Sequence, residues 1–174
     1  MKTISTALFA SFFAMTTSCF AANSSSQAEE LVRAARFDFA IIDALQYSKG
    51  RSFFEVTQYE SLAPCISARG AALITPILAN RIAESMNEDD IRAALQFYKS
   101  PPGKKFTEAS LIAVHHEHQI EMEKDLPAIS PEEESVITKF MASPIRQKIT
   151  NSITDRTALF NAAKREILRA CAAE

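Results

Sequence analysis

The sequence predicts an all-α protein, a single-domain helical bundle of about eight helices. Three observations carry that expectation. Alanine is abundant, and there are only three glycines, Gly50, Gly70 and Gly103, a balance that favours helix. No segment alternates apolar and polar residues for long, and β-branched residues do not cluster, so no strand is expected. A hydroxyl residue stands directly before proline four times: Thr75-Pro76, Ser100-Pro101, Ser130-Pro131 and Ser143-Pro144. A hydroxyl at the N-cap satisfies an orphan N–H, and proline at the first helical position pre-sets φ where no N–H is missed.

The first segment, residues 1–22, reads as a secretory signal peptide. Lys2 is followed by an uncharged, mostly apolar stretch from Ile4 to Met15 and a small polar stretch ending Cys-Phe-Ala-Ala. A cut after Ala21 or Ala22 suits the small-residue rule. The apolar stretch is short for a membrane anchor. A lipoprotein acylated at Cys19 is disfavoured, because Thr16-Thr17-Ser18 lack the usual leucine. Residues 23–174 then form the mature all-helical domain, an exported, periplasmic or secreted chain. It holds no run of 18 apolar residues and is not expected to span a membrane.

Two cysteines remain after cleavage, Cys65 and Cys171. In an oxidising compartment one disulfide between them is the simplest reading. Two buried free thiols are the alternative. The position of Cys171, one turn beyond Ile167 on the apolar side of the last helix, favours the bridge.

The helices are expected in order. The first covers about 27–47, with Leu31, Ala35, Phe39, Ile42 and Leu45 along one face and Gly50 as its stop. The second starts at Ser52, where Ser52-Phe-Phe-Glu55 has the form of a capping box, and ends or kinks at Pro64. A third covers 65–74. The Thr-Pro and Ser-Pro signals, with Asn87-Glu-Asp-Asp90 placing acids at a helix start, then give helices at about 76–86, 88–99, 101–125, 131–142 and 144–171.

Two of these hairpins repeat. Phe97, Ser100, Pro101, Lys105 and Thr107 recur at a constant offset as Phe140, Ser143, Pro144, Lys148 and Thr150. The repeat units run about 87–112 and 130–155, each an acid-capped helix, a Phe near its end, a Ser-Pro break and a second helix. Two units fall short of a solenoid.

The stretch Phe97-Tyr98-Lys99-Ser100-Pro101-Pro102-Gly103-Lys104-Lys105 resembles the signature of the secreted bacterial family catalogued as domain of unknown function 2059. The resemblance covers about residues 85–145 and implies an exported, all-helical domain. It implies no activity and no cofactor. In the second copy Met141 stands for Tyr98 and Arg146 for Gly103, so that copy is degenerate.

Composition narrows the function classes. The formal net charge is −2, which argues against a nucleic-acid binder. Glycines so far apart build no phosphate loop. The three histidines cluster in His115-His116-Glu117-His118. On a helix His115 and His118 share a face, with Glu121 or Met122 one turn on, and these are the candidate metal ligands. Glu84 and Glu117, the latter spaced i,i+4 from Glu121, are the candidate carboxylates for a cell-wall glycan hydrolase, although their surroundings are polar and acid-rich. Gly-x-Ser-x-Gly is absent. Charge is unevenly placed: Glu117 to Glu134 is acidic, the last helix carries Arg146, Lys148, Arg156, Lys164, Arg165 and Arg169, and these are either solvated faces or docking surfaces. The reading that results is a non-enzymatic binding or interaction protein whose partner is a protein or envelope component. A metal-binding protein, a glycan hydrolase and a periplasmic immunity or inhibitor protein are the alternatives.

Overall fold

The computed structural model describes residues 14–47, 54–117, 125–130 and 131–172. Among them are eight α-helices and no strand: α1 (Ala14–Ala35), α2 (Phe37–Tyr47), α3 (Val56–Ser85), α4 (Glu88–Lys99), α5 (Pro101–Glu117), α6 (Pro131–Met141), α7 (Pro144–Thr154) and α8 (Arg156–Cys171). The expected fold class stands. Several boundaries differ, each for a local reason.

The predicted first helix is two helices. Ala28, Leu31, Val32 and Ala35 are buried, and so are Asp38, Ile41 and Ile42 beyond the break. The spacing runs unbroken through the break, so periodicity alone reads one helix. The chain turns at Arg36, whose φ is 57°, in the left-handed region. α1 also runs through the predicted cleavage point.

Residues 56–85 form one helix, where three segments were expected, with Pro64 and Pro76 inside it. Both prolines are exposed, as are Glu60 and Ala72 one turn before them. The carbonyls that lose a partner to proline therefore lie on the solvent side, where water satisfies them. Thr75 does not cap a helix; its hydroxyl donates to Asp38 at 3.1 Å. Ser52 lies outside the described residues. Glu55 is the residue before α3 and makes no side-chain cap bond.

The expected helix 144–171 divides at Asp155, whose side chain accepts from the Ala158 N–H at 3.1 Å and starts α8. The expected helix 101–125 is described as α5 to Glu117; residues 118–124 lie outside the described residues, and 125–130 are not helical. The Ser-Pro starts at 100, 130 and 143 are as expected. At Ser130 the capping box is complete.

α3 is the central element and packs against α1, α2, α7 and α8. Its buried side carries Ile66, Ile74, Leu78 and Ile82. By length and composition Gln58–Ser85 is the one described helix apolar enough to cross a membrane; here its apolar side is the core of the bundle. Cys65 of α3 and Cys171 of α8 form a disulfide, with Cα atoms 5.8 Å apart.

Candidate functional site

The two Ser-Pro elbows have the same internal wiring. Ser100 Oγ donates to the Phe97 carbonyl at 2.6 Å and accepts from the Gly103 N–H at 3.2 Å. Ser143 Oγ donates to the Phe140 carbonyl at 2.6 Å and accepts from the Arg146 N–H at 3.2 Å. Each hydroxyl closes one helix and opens the next, so one residue separates α4 from α5 and two separate α6 from α7.

The elbows also face each other. Phe97 and Phe140 stack with ring centroids 3.7 Å apart and planes 8° from parallel. Lys105 of the first unit donates to Glu133 of the second at 2.7 Å and to the Ala128 carbonyl at 2.8 Å. Lys148 of the second unit pairs with Asp90 of the first. Glu133 and Asp90 occupy the same place, the third residue of an acid-capped helix. Each unit thus gives a lysine to the other's helix start, the reciprocity of a twofold contact. Hydrogen bonds from Lys105 and the Ser130 backbone hold the Glu133 carboxyl below the usual carboxylate range.

The units differ where α1 covers only one of them. Tyr98 is 2% exposed and packs edge-on against Phe37 and Phe140. Burial pushes its hydroxyl up to about 12, opposed in part by Arg146. Lys99 beside it pairs with Glu30 of α1. Its counterpart Met141 is 43% exposed; among the described helices α6 packs chiefly on α5 and α7. Gly103 is required in the first elbow: a Cβ there would sit 1.9 Å from the Phe97 carbonyl oxygen. The degenerate copy has lost the residues that serve contact with α1 and the tightest turn. The motif Phe97, Tyr98, Ser100, Pro101, Gly103 and Lys105, with Phe140, Ser143, Pro144 and Lys148, is therefore a packing device.

The other sequence-predicted residues do not converge. His115 pairs with Asp43 of α2 at 2.6 Å. His118, Glu121 and Met122 lie outside the described residues, as do the side chains of Glu117 and Cys19. Glu84 is exposed near the end of α3. Among the described residues no group of three or more His, Cys, Asp or Glu side chains is arranged to hold a metal ion. Part of the basic surface is internally satisfied: Arg169 pairs with Glu166 at 2.5 Å, and Lys164 lies 5.6 Å over the Phe54 ring.

A different site stands at the break between α1 and α2, around Arg36. Two grooves meet there. One, about 310 Å³, is lined by Ala34, Arg36, Lys104, Thr107, Glu108, Leu111 and Ile112. The other, about 410 Å³, is lined by Arg33, Arg36, Asp38, Phe39, Ala71, Ala72 and Thr75. The Arg36 guanidinium lies over Phe39, its central carbon 3.7 Å from the ring centroid. Asp38 is 4% exposed. Its two oxygens accept from the Phe39 N–H at 3.0 Å and from Thr75 Oγ1 at 3.1 Å. Sequence reasoning missed this site. Its one signal was Asp38, an acid on the apolar stripe between Ala35 and Ile42.

The family model described as an uncharacterized protein conserved in bacteria (DUF2059) matches residues 74–132. The resemblance carried by the 97–105 signature is borne out over that span, which holds the first elbow and stops at the start of the second repeat unit. No curated protein and no solved structure matches the chain.

Proposed function

We propose that this chain is an exported, non-enzymatic binding protein that recognises its partner through the two grooves beside Arg36. One observation carries the reading. Arg36 is the only described non-glycine residue with positive φ, and it is the one residue common to both grooves. A left-handed arginine costs on the order of 1–3 kcal/mol, and such strain clusters at binding and switch sites. Glycine would make the same turn without that cost. The guanidinium is thus kept against the backbone preference. Arg33, Arg36 and Lys104 outnumber Asp38 and Glu108 along the two grooves, an excess of cationic groups suited to a partner with acidic groups.

Export is supported by the form of residues 1–22 and by the disulfide, which persists in oxidising compartments. The test is site-specific photo-crosslinking in cells expressing the full chain. A photoreactive residue at Phe39 or Leu111 should capture a discrete partner. One at Ser61, exposed on α3, should not. Arg36→Gly should abolish the capture while leaving the fold intact. Equal capture at all three positions, or capture indifferent to Arg36→Gly, defeats the reading.

A further inference from the structure

Resting on that reading, we infer that the groove between α2 and α3 binds a small zwitterion, its ammonium group on Asp38 and Thr75 and its carboxylate on Arg36. Opposite charges that line one cavity ordinarily pair. Here they do not. Arg33 pairs with Glu29 at 2.8 Å on the outer side of α1. Arg36 lies on the Phe39 ring. Asp38 is buried and is held by two neutral donors, with no ion pair among the described residues. A carboxylate has about four acceptor positions, so two remain on Asp38. A buried carboxylate supported only by neutral donors is under-compensated, and an ammonium group is the donor that completes it most strongly.

The opposite end of the ligand follows from Arg36. A guanidinium presents its donors as a planar fork that matches a carboxylate. Arg36 sits over the Phe39 ring and makes no ion pair among the described residues, which leaves its donors for such a contact. Ala71, Ala72 and Phe39 supply the apolar wall between the two charged ends. The space, about 410 Å³, lies in the range of small-molecule sites and admits more than a single small amino acid. Amino acids and peptides with free ends share this chemistry.

The test is calorimetric titration of the full chain with L-alanyl-L-alanine, its N-acetyl form, its C-terminal amide, and L-alanine. The free dipeptide should bind, and each blocked form should bind about tenfold more weakly or worse. Binding of L-alanine as tight as the dipeptide would assign the site to free amino acids; weaker binding would assign it to peptide ends. Arg36→Gly should reduce the dipeptide to the affinity of its amide. Asp38→Asn should reduce it to that of the acetyl form; since Asp38 is buried, circular dichroism must show that this variant is folded, and Arg36→Gly decides if it is not. No binding at millimolar dipeptide, or equal binding of all forms, overturns the zwitterion. If crosslinking at Phe39 still depends on Arg36 in that case, the groove reading survives alone; if it does not, both fall.

Discussion

Phe97 and Phe140 lie face to face, 3.7 Å between centroids, although each ends the first helix of a different repeat unit. A residue lies against its own repeat-mate where a twofold axis passes between the two units. The crossed pairs Lys105–Glu133 and Lys148–Asp90 obey the same relation. The repeat is thus read as two halves clasped together rather than as links in an array, which explains why two units suffice.

The stacked pair should therefore be both large in effect and coupled. Phe97→Ala and Phe140→Ala should each lower stability by about 3–5 kcal/mol. The double variant should lose less than the sum, by about 0.5–1.5 kcal/mol. Urea unfolding of the four proteins measures this. Strict additivity would mean that the rings do not support each other.

Gly103 and Arg146 occupy equivalent turns but should respond in opposite ways. Gly103→Ala drives a Cβ into the Phe97 carbonyl and should cost at least about 2 kcal/mol as the elbow opens. Arg146→Gly meets no such obstacle and should cost less than about 1 kcal/mol, the helix-propensity difference. Equal losses would show that the two elbows are equally tight.

Much of the fold was legible because helix starts are written locally. Ser100, Ser130 and Ser143 each satisfy a backbone donor within three residues, and that chemistry can be read from neighbours. Breaks without such chemistry were not legible. At Arg36 the apolar spacing continues through the turn, and arginine gives no sign of a left-handed φ. Pro64 and Pro76 looked like stops because their cost depends on which side of the helix faces solvent, a tertiary fact. The candidate site was hidden for a similar reason: Arg36, Asp38 and Thr75 come from two elements, and only the packing of α2 on α3 joins them. The histidine cluster drew notice by its sequence density, yet His115 is committed to Asp43.

The disulfide joins the middle of α3 to the end of α8 across a sequence separation of 106. On the chain-entropy account its removal should cost about 4–5 kcal/mol. Cys65→Ser with Cys171→Ser, or full reduction, should lower the melting temperature by about 8–20 °C, given about 2–4 °C per kcal/mol at this size. A shift of only a degree or two would mean that packing of α8 on α3 holds the ends together without the bond.

Arg36→Gly should separate stability from binding. Glycine adopts φ of 57° freely, which removes strain of about 1–3 kcal/mol. Against this stand the lost stacking on Phe39, about 0.5–1 kcal/mol, and the chain entropy of glycine, about 1 kcal/mol. The net change should be within about 1 kcal/mol of zero, while capture of the partner is lost. Arg36→Val, β-branched at a left-handed position, should instead destabilise clearly. A large loss on Arg36→Gly would show that the guanidinium holds the α1–α2 junction together and would remove the argument that it is kept for a partner.

Tyr98 gives the fold an alkaline limit of its own. Its hydroxyl is raised from 10.0 to about 12 by burial under α1 and between Phe37 and Phe140. In the unfolded chain the phenol ionises near 10, while in the fold it stays protonated to about 12, so between these values the folded state binds the extra proton. Stability from this group is therefore complete below pH 10 and is lost as pH rises towards 12. Two pH units correspond to about 2–3 kcal/mol. Tyr98→Phe keeps the ring contacts and removes the proton, so its stability should fall less steeply over that window. The check is denaturant unfolding of both proteins at intervals from pH 9 to 11.5. Parallel curves would mean that the Tyr98 hydroxyl ionises in the folded protein as it does in the open chain, and that the cover of α1 over the first elbow admits water.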